Sequence, residues 1–196
     1  GLAAIPKRNQ LGLAGQAWDP YPLATLDEVA ALAHQGHEIG CHTASHLSGF
    51  AVGAKTYLRD VEENARLLDP VVGRLRTFAY PYGAIGLRHK LALQRRFEIC
   101  RGIHGGPQVH AMDRGRLEAV ALEDASIGEP QIDALIDAAV SQHAWLVFYA
   151  HDVATQPTRF GVTPERLAYA VDAAVARGGR VDTVWNVLRG SQRPTG

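Results

Sequence analysis

Short apolar runs and amphipathic helical stretches take turns along most of these 196 residues, and this alternation restricts the fold more than any other feature. The apolar runs are HEIGCH (37–42), RTFAYP (76–81), FEICRGI (97–103), RLEAVAL (116–122), AWLVFYA (144–150) and RVDTV (180–184). Runs 97–103 and 144–150 are almost continuously apolar, as strands covered on both faces are. Thr25 and Glu28 form a capping-box signature ahead of Leu26, Val29, Ala30 and Ala33, and Gly36 stops that helix. Leu58, Val61, Ala65 and Leu68 mark a second helix, predicted to carry its charges on the other side. Ile132, Leu135, Ile136, Ala139 and Val140 mark another. The last long helix opens at Thr163 and Pro164, is expected to bury Leu167, Ala170, Val171, Ala174 and Val175, and ends at Gly178 and Gly179. Strand and helix alternating in this way predict an α/β fold with six parallel strands joined by right-handed crossovers.

Length allows one domain with a sizeable core. Lys plus Arg and Asp plus Glu number 20 each, so no electrostatic surplus points to nucleic acid or an anionic membrane. No apolar run approaches the roughly 18 residues of a membrane span. No charged, apolar, then small-residue signal opens the chain, which leaves the compartment open with a cytoplasmic setting as the working expectation. Cys41 and Cys100, both inside apolar runs, read as buried free thiols.

In parallel α/β folds reactive side chains gather at the carboxyl ends of strands. Three unusual stretches stand there: His42 with HTASH behind it, the turn YPYG (80–83), and His151 with Asp152. Two neutral imidazoles, His42 and His46, can hold a zinc-like ion at about 2.0–2.1 Å each, and a carboxylate from elsewhere is then expected. An uncoordinated His151 suits a general acid near neutral pH. Such a set fits metal-assisted hydrolysis. Blander readings stand beside it. His42 and His46 are also readable as solvated rings near a helix N-cap, His151 as a ring satisfied by backbone, and Tyr82 and Tyr149 as core aromatics. Asp152 reads best as a loop cap. His34 and His89 are expected on solvated helix surfaces, and His104 and His110 lie in a glycine-rich loop with no assigned role.

Taken in order, GHEIGCHTASH, RTFAYPYG and WLVFYAHDV resemble the polysaccharide deacetylases, the NodB-like carbohydrate esterase family 4, over residues 23–188. The resemblance implies a single domain with a distorted (β/α) barrel that removes N-acetyl or O-acetyl groups from a sugar polymer. It also implies a divalent metal as cofactor, zinc first, with cobalt, nickel and manganese as alternatives. His42 and His46 match the metal-binding histidines and His151 the general acid. Tyr82 matches the residue whose N–H helps hold the oxyanion, aimed by the fixed φ of Pro81. Pro81 and Tyr149 fall at substrate-binding positions; the family usually has leucine at the latter.

The chain also departs from the family pattern. No strand ending in two aspartates, the family's base and third metal ligand, precedes His42; Asp19 and Asp27 do not read that way. The expectation is therefore a domain whose N-terminal strand or strands lie upstream of Gly1, with weak metal affinity and self-association through an edge beside 37–42 or 180–184. Ala79 stands where the family has arginine; Arg101 is a candidate replacement but reads first as surface or loop structure. Asp113 and Asp124 are the candidates for orienting the acid histidine. The alternative function is a catalytically silent barrel that binds carbohydrate or a protein partner.

Overall fold

A computed structural model of the chain describes residues 24–109 and 112–191. They form two compact units. The first gathers the described residues up to Gly102, Arg114–Arg116, and those from Thr183 onward; the second gathers those of Ile103–Asp113 and Leu117–Asp182.

The first unit opens with helix α1, Leu26–His34, capped as its sequence predicts. Thr25 Oγ1 accepts the Glu28 N–H at 3.2 Å, and a Glu28 carboxylate oxygen accepts the Thr25 N–H at 2.7 Å. Helix α2, Ala54–Val72, buries Tyr57, Asp60, Val61, Asn64, Ala65 and Leu68 on one stripe. Two of these six are polar, so the expectation that charge sits only on the solvent side fails at Asp60.

Strand β1 (Thr77–Ala79) pairs in parallel with β2 (Ile99–Arg101), with helix α3 (Leu87–Leu93) between them in sequence. Phe78 sits at the centre, its ring 5.2 Å from those of Tyr80 and Phe97 and 6.3 Å from that of Tyr57. Cys41 and Cys100 stand on opposite sides of Phe78 in the ladder. Two interstrand spacings of about 4.8 Å put them beyond disulfide reach, and both thiols are buried and free. Burial pushes the Cys41 thiol up to about 12, so it stays protonated. Helix α6, Val184–Ser191, was not anticipated from the sequence. It starts where Thr183 Oγ1 accepts the Asn186 N–H at 3.2 Å and a Glu38 carboxylate oxygen accepts the Trp185 N–H at 2.8 Å.

The second unit pairs β3 (Val120–Ala121) in parallel with β4 (Phe148–Tyr149) and packs helix α4 (Glu129–Ser141) with α5 (Pro164–Ala176). Leu122, Ile127, Ile132, Ile136, Val162 and Ala170 form its core. Thr163 caps α5 as predicted, its Oγ1 accepting the Arg166 N–H at 3.4 Å.

The expected six-stranded barrel is met only in part. Among the described residues the strands make two separate two-stranded parallel sheets and no closed barrel. Run 37–42 contributes a single rung: the Cys41 N–H donates to Thr77 O and the Ala79 N–H to Cys41 O, both at 2.9 Å. The backbone then leaves the strand direction at Thr43, whose φ is 65°. Run 180–184 forms no strand, because Thr183 is taken up in starting α6. No described helix is long and apolar enough to cross a membrane.

Candidate functional site

The loop from His42 to Leu47 is an irregular stretch whose backbone donors are answered by two polar residues of α2. The His42 N–H donates to Asn64 Oδ1 at 3.3 Å and the Ser45 N–H to Asp60 Oδ2 at 3.0 Å. The Ala44 N–H reaches the Asp60 carbonyl at 3.2 Å, and Thr43 Oγ1 accepts the Leu47 N–H at 3.1 Å. Asp60 and Asn64 are spaced i, i+4, so both face the loop from one side of the helix. They are buried, at 8% and 0% exposure. Reading the chain as a sequence missed them; the signal was two polar residues inside an apolar helical stripe.

That support holds the loop in an unusual shape. Thr43 and His46 adopt left-handed backbone conformations, φ 65° and 54°, as does Tyr82 at 58°. Such conformations are uncommon outside glycine and, for a β-branched threonine, costly by about 1–3 kcal/mol. Two of them, His46 and Tyr82, are in ring contact at 4.6 Å, and the His46 ring lies 4.7 Å from that of His42, the residue before Thr43. The structure thus brings His42, His46 and Tyr82 together. Tyr82 is 38% exposed with its ring edge against His46, which is not the position of a core aromatic.

His42 is orientated by a carbonyl at the end of β1. Its Nδ1 lies 2.7 Å from Ala79 O, and a carbonyl only accepts, so Nδ1 carries the proton and Nε2 offers a lone pair. Metal-ligating histidines use this arrangement to fix tautomer and aim. Burial, with the adjacent His46 ring adding to it, pushes His42 down to about 3 from an ordinary 6.5. Its imidazole is therefore neutral, and available as a donor, at any physiological pH.

The same shift has a consequence for stability. Below pH 6.5 the unfolded chain takes up a proton that the folded His42 refuses. Its contribution is complete above pH 6.5 and is lost as pH falls from there towards 3. At pH 4.5 the metal-free protein is expected to be less stable by up to about 3 kcal/mol from this group, at 1.36 kcal/mol per pH unit. Denaturant midpoints at pH 7 and 4.5 check this, and His42→Asn should flatten the difference.

The turn at Tyr82 follows β1 directly. It is a 3-10 turn, Pro81–Gly83, with Pro81 at its first position. Its closing bonds run from the Gly83 N–H to Tyr80 O and from the Ala84 N–H to Pro81 O, at 3.0 and 3.1 Å. Neither uses the Tyr82 N–H. Ala79 pairs with Arg101 across the ladder, and the Arg101 charge helps keep His42 neutral.

His151 and Tyr149 belong to the second unit, their rings 6.2 Å apart. His151 is about half exposed, and its Nδ1 lies 3.4 Å from Phe160 O and 3.9 Å from Glu123 Oε1. Glu123 is buried at 8% exposure and accepts the Ser126 hydroxyl at 2.8 Å. A carboxylate facing His151 is therefore Glu123, which the sequence reading did not name. Asp124 instead accepts the Thr163 N–H at 3.1 Å and lies 3.6 Å from Arg166. Asp152 holds its own loop, accepting the Thr158 N–H at 2.9 Å, as its cap reading expected.

Two further expectations are settled by burial and position. His89 is not on a solvated surface but 7% exposed, packed on Tyr57. Asp19 and His110 lie outside the described residues.

Two imidazoles side by side, His42 neutral and with its tautomer fixed, fit a divalent ion as part of its ligand set. Among the described residues no group of three His, Cys, Asp or Glu side chains completes such a set.

Residues 13–97 match the family model for polysaccharide deacetylase. No curated protein matches the chain. Among solved structures, the Xyl-CE4 domain of a multidomain xylanase from the hindgut metagenome of Trinervitermes trinervoides is similar, with a TM-score of 0.55. It is 14% identical, and the match covers 85% of this chain and 71% of that one.

Proposed function

Starting from the NodB-like fold of carbohydrate esterase family 4, supported by the family-model and structural matches, we propose that this chain is a single NodB-like hydrolase domain removing acetyl groups from a carbohydrate polymer. The observation that carries the reading is the His42–His46–Tyr82 cluster. Three residues picked out by their place in the motifs meet in ring contact, two of them in left-handed backbone conformations.

His42 and His46 would hold a divalent ion, zinc first, through imidazole nitrogens, with the remaining donors supplied from beyond these two side chains. When bound, that ion supplies an activated water and a polarised acyl oxygen. The chain's own residues do the rest. Pro81 fixes the entry to the turn, and the Tyr82 N–H donates to the acyl oxygen as negative charge grows there. His151 gives a proton to the departing nitrogen or oxygen of the sugar, and Glu123 opposite its Nδ1 stabilises the imidazolium. Tyr149 lines the acyl side.

Release of acetate from N-acetylated and O-acetylated oligosaccharides by the full-length protein tests this reading. The incomplete ligand set among the described residues favours one alternative, a silent barrel that binds carbohydrate. Sugar binding with no acetate released under any metal would decide for it.

A further inference from the structure

Phe50, on the loop that leaves His46, has 77% of its surface exposed. Single exposed apolar side chains are ordinary, so exposure alone assigns nothing. The setting of this one is unusual in how firmly it is built. The Ala51 N–H donates to Ser48 O at 3.0 Å and the Phe50 N–H to Ser48 Oγ at 3.3 Å, closing a tight turn. Gly49 lies so close to the Tyr82 turn that an added Cβ would stand 2.7 Å from Ala84 O. Behind both turns, buried His89 sits with its Nε2 3.1 Å from Val52 O and its ring 4.9 Å from that of Tyr57. A carbonyl only accepts, so His89 donates there and ties the far end of the Phe50 loop to α3. Phe50 is thus braced on the rim that carries Tyr82 and His46, and its ring is left to solvent.

We propose that Phe50 is a sugar-stacking platform at the rim of the His42–His46 site. A pyranose whose substituents are equatorial presents an apolar face of axial C–H bonds, the surface an exposed, rigidly mounted phenyl ring can cover. The ligand class is then an acetylated oligomer of equatorially substituted pyranoses, extending past the acetylated unit onto Phe50. The acetyl part rests on the deacetylase reading above; the sugar-face part does not.

The test is calorimetric titration of the full-length protein, Phe50→Ala and Phe50→Trp with N-acetylchitopentaose and acetylated xylopentaose, beside acetate release from the same pentamers. Phe50 is exposed, so its variants should keep the wild-type thermal midpoint. Phe50→Ala is expected to weaken binding of at least one pentamer about tenfold, and Phe50→Trp to retain it. Equal affinity in wild type and Phe50→Ala, or no binding of either pentamer by the wild type, overturns the platform. Phe50-dependent binding without acetate release leaves the platform standing and removes the deacetylase reading. Acetate release together with equal pentamer affinity in wild type and Phe50→Ala does the reverse.

Discussion

Replacing His151 with alanine in the full-length protein is expected to lower turnover by about 10²–10⁴-fold while leaving metal content unchanged. The expectation follows from the ring's surroundings. Its Nδ1 faces a carbonyl at 3.4 Å and a buried carboxylate at 3.9 Å, partners that would stabilise the charged ring of the proposed acid. Its half-exposed side chain suits exchange of a proton with a substrate. Glu123→Gln should lower turnover in the same direction but less, since the ring would remain while its charge partner is lost. Acetate release and metal analysis on the purified variants check both. Loss of bound metal in His151→Ala would make His151 a ligand and refute its assignment as the acid.

Asp60→Ala is the second large effect expected. Asp60 is buried and holds the Ser45 N–H at 3.0 Å, and so the strained loop between the two histidines. Removing its carboxylate leaves a donor unanswered, at a cost of about 1–3 kcal/mol in stability. The positional effect should be larger, because groups that orient ligands are worth about 10–100-fold in metal affinity. Zinc titration and denaturant midpoints separate the two. Asp60→Asn, which keeps an oxygen at the same place, should recover most of the affinity. If Asp60→Ala loses stability but binds zinc as the wild type does, Asp60 only supports the fold.

The helices were legible because caps and apolar spacing are local: Thr25 with Glu28 and Thr163 with Pro164 formed as the sequence implies, but of the stripe expected to be buried on α5 only Ala170 is, with Leu167, Val171 and Val175 exposed. Strand extent was not legible. HEIGCH reads as a strand by composition, yet only Cys41 pairs, because the sequence gives no sign that the chain turns left-handed at Thr43. RVDTV lost its strand to a competing local signal, Thr183 starting α6.

The site shows the same division. His42, His46 and Tyr82 were recognisable from motif order, and the fold joins them. Their supports were hidden. Asp60 and Asn64 are polar residues in an apolar stripe, and their burial becomes favourable only when a distant loop supplies its donors. Glu123 was overlooked for its neighbour Asp124, because which of two adjacent carboxylates faces His151 depends on how the backbone runs out of β3. His89 looked like an exposed helical histidine and is buried, because the loop carbonyl of Val52 supplies its partner.

Acetate release from acetylated oligosaccharides, measured on the full-length protein before chelation, after chelation and after returning zinc, cobalt, nickel or manganese, tests the central claim most directly. The account expects release that is lost on chelation, restored by at least one of these ions, and absent in the His42→Gln, His46→Gln double variant under every metal. Release that survives chelation, or that persists in the double variant, would contradict it.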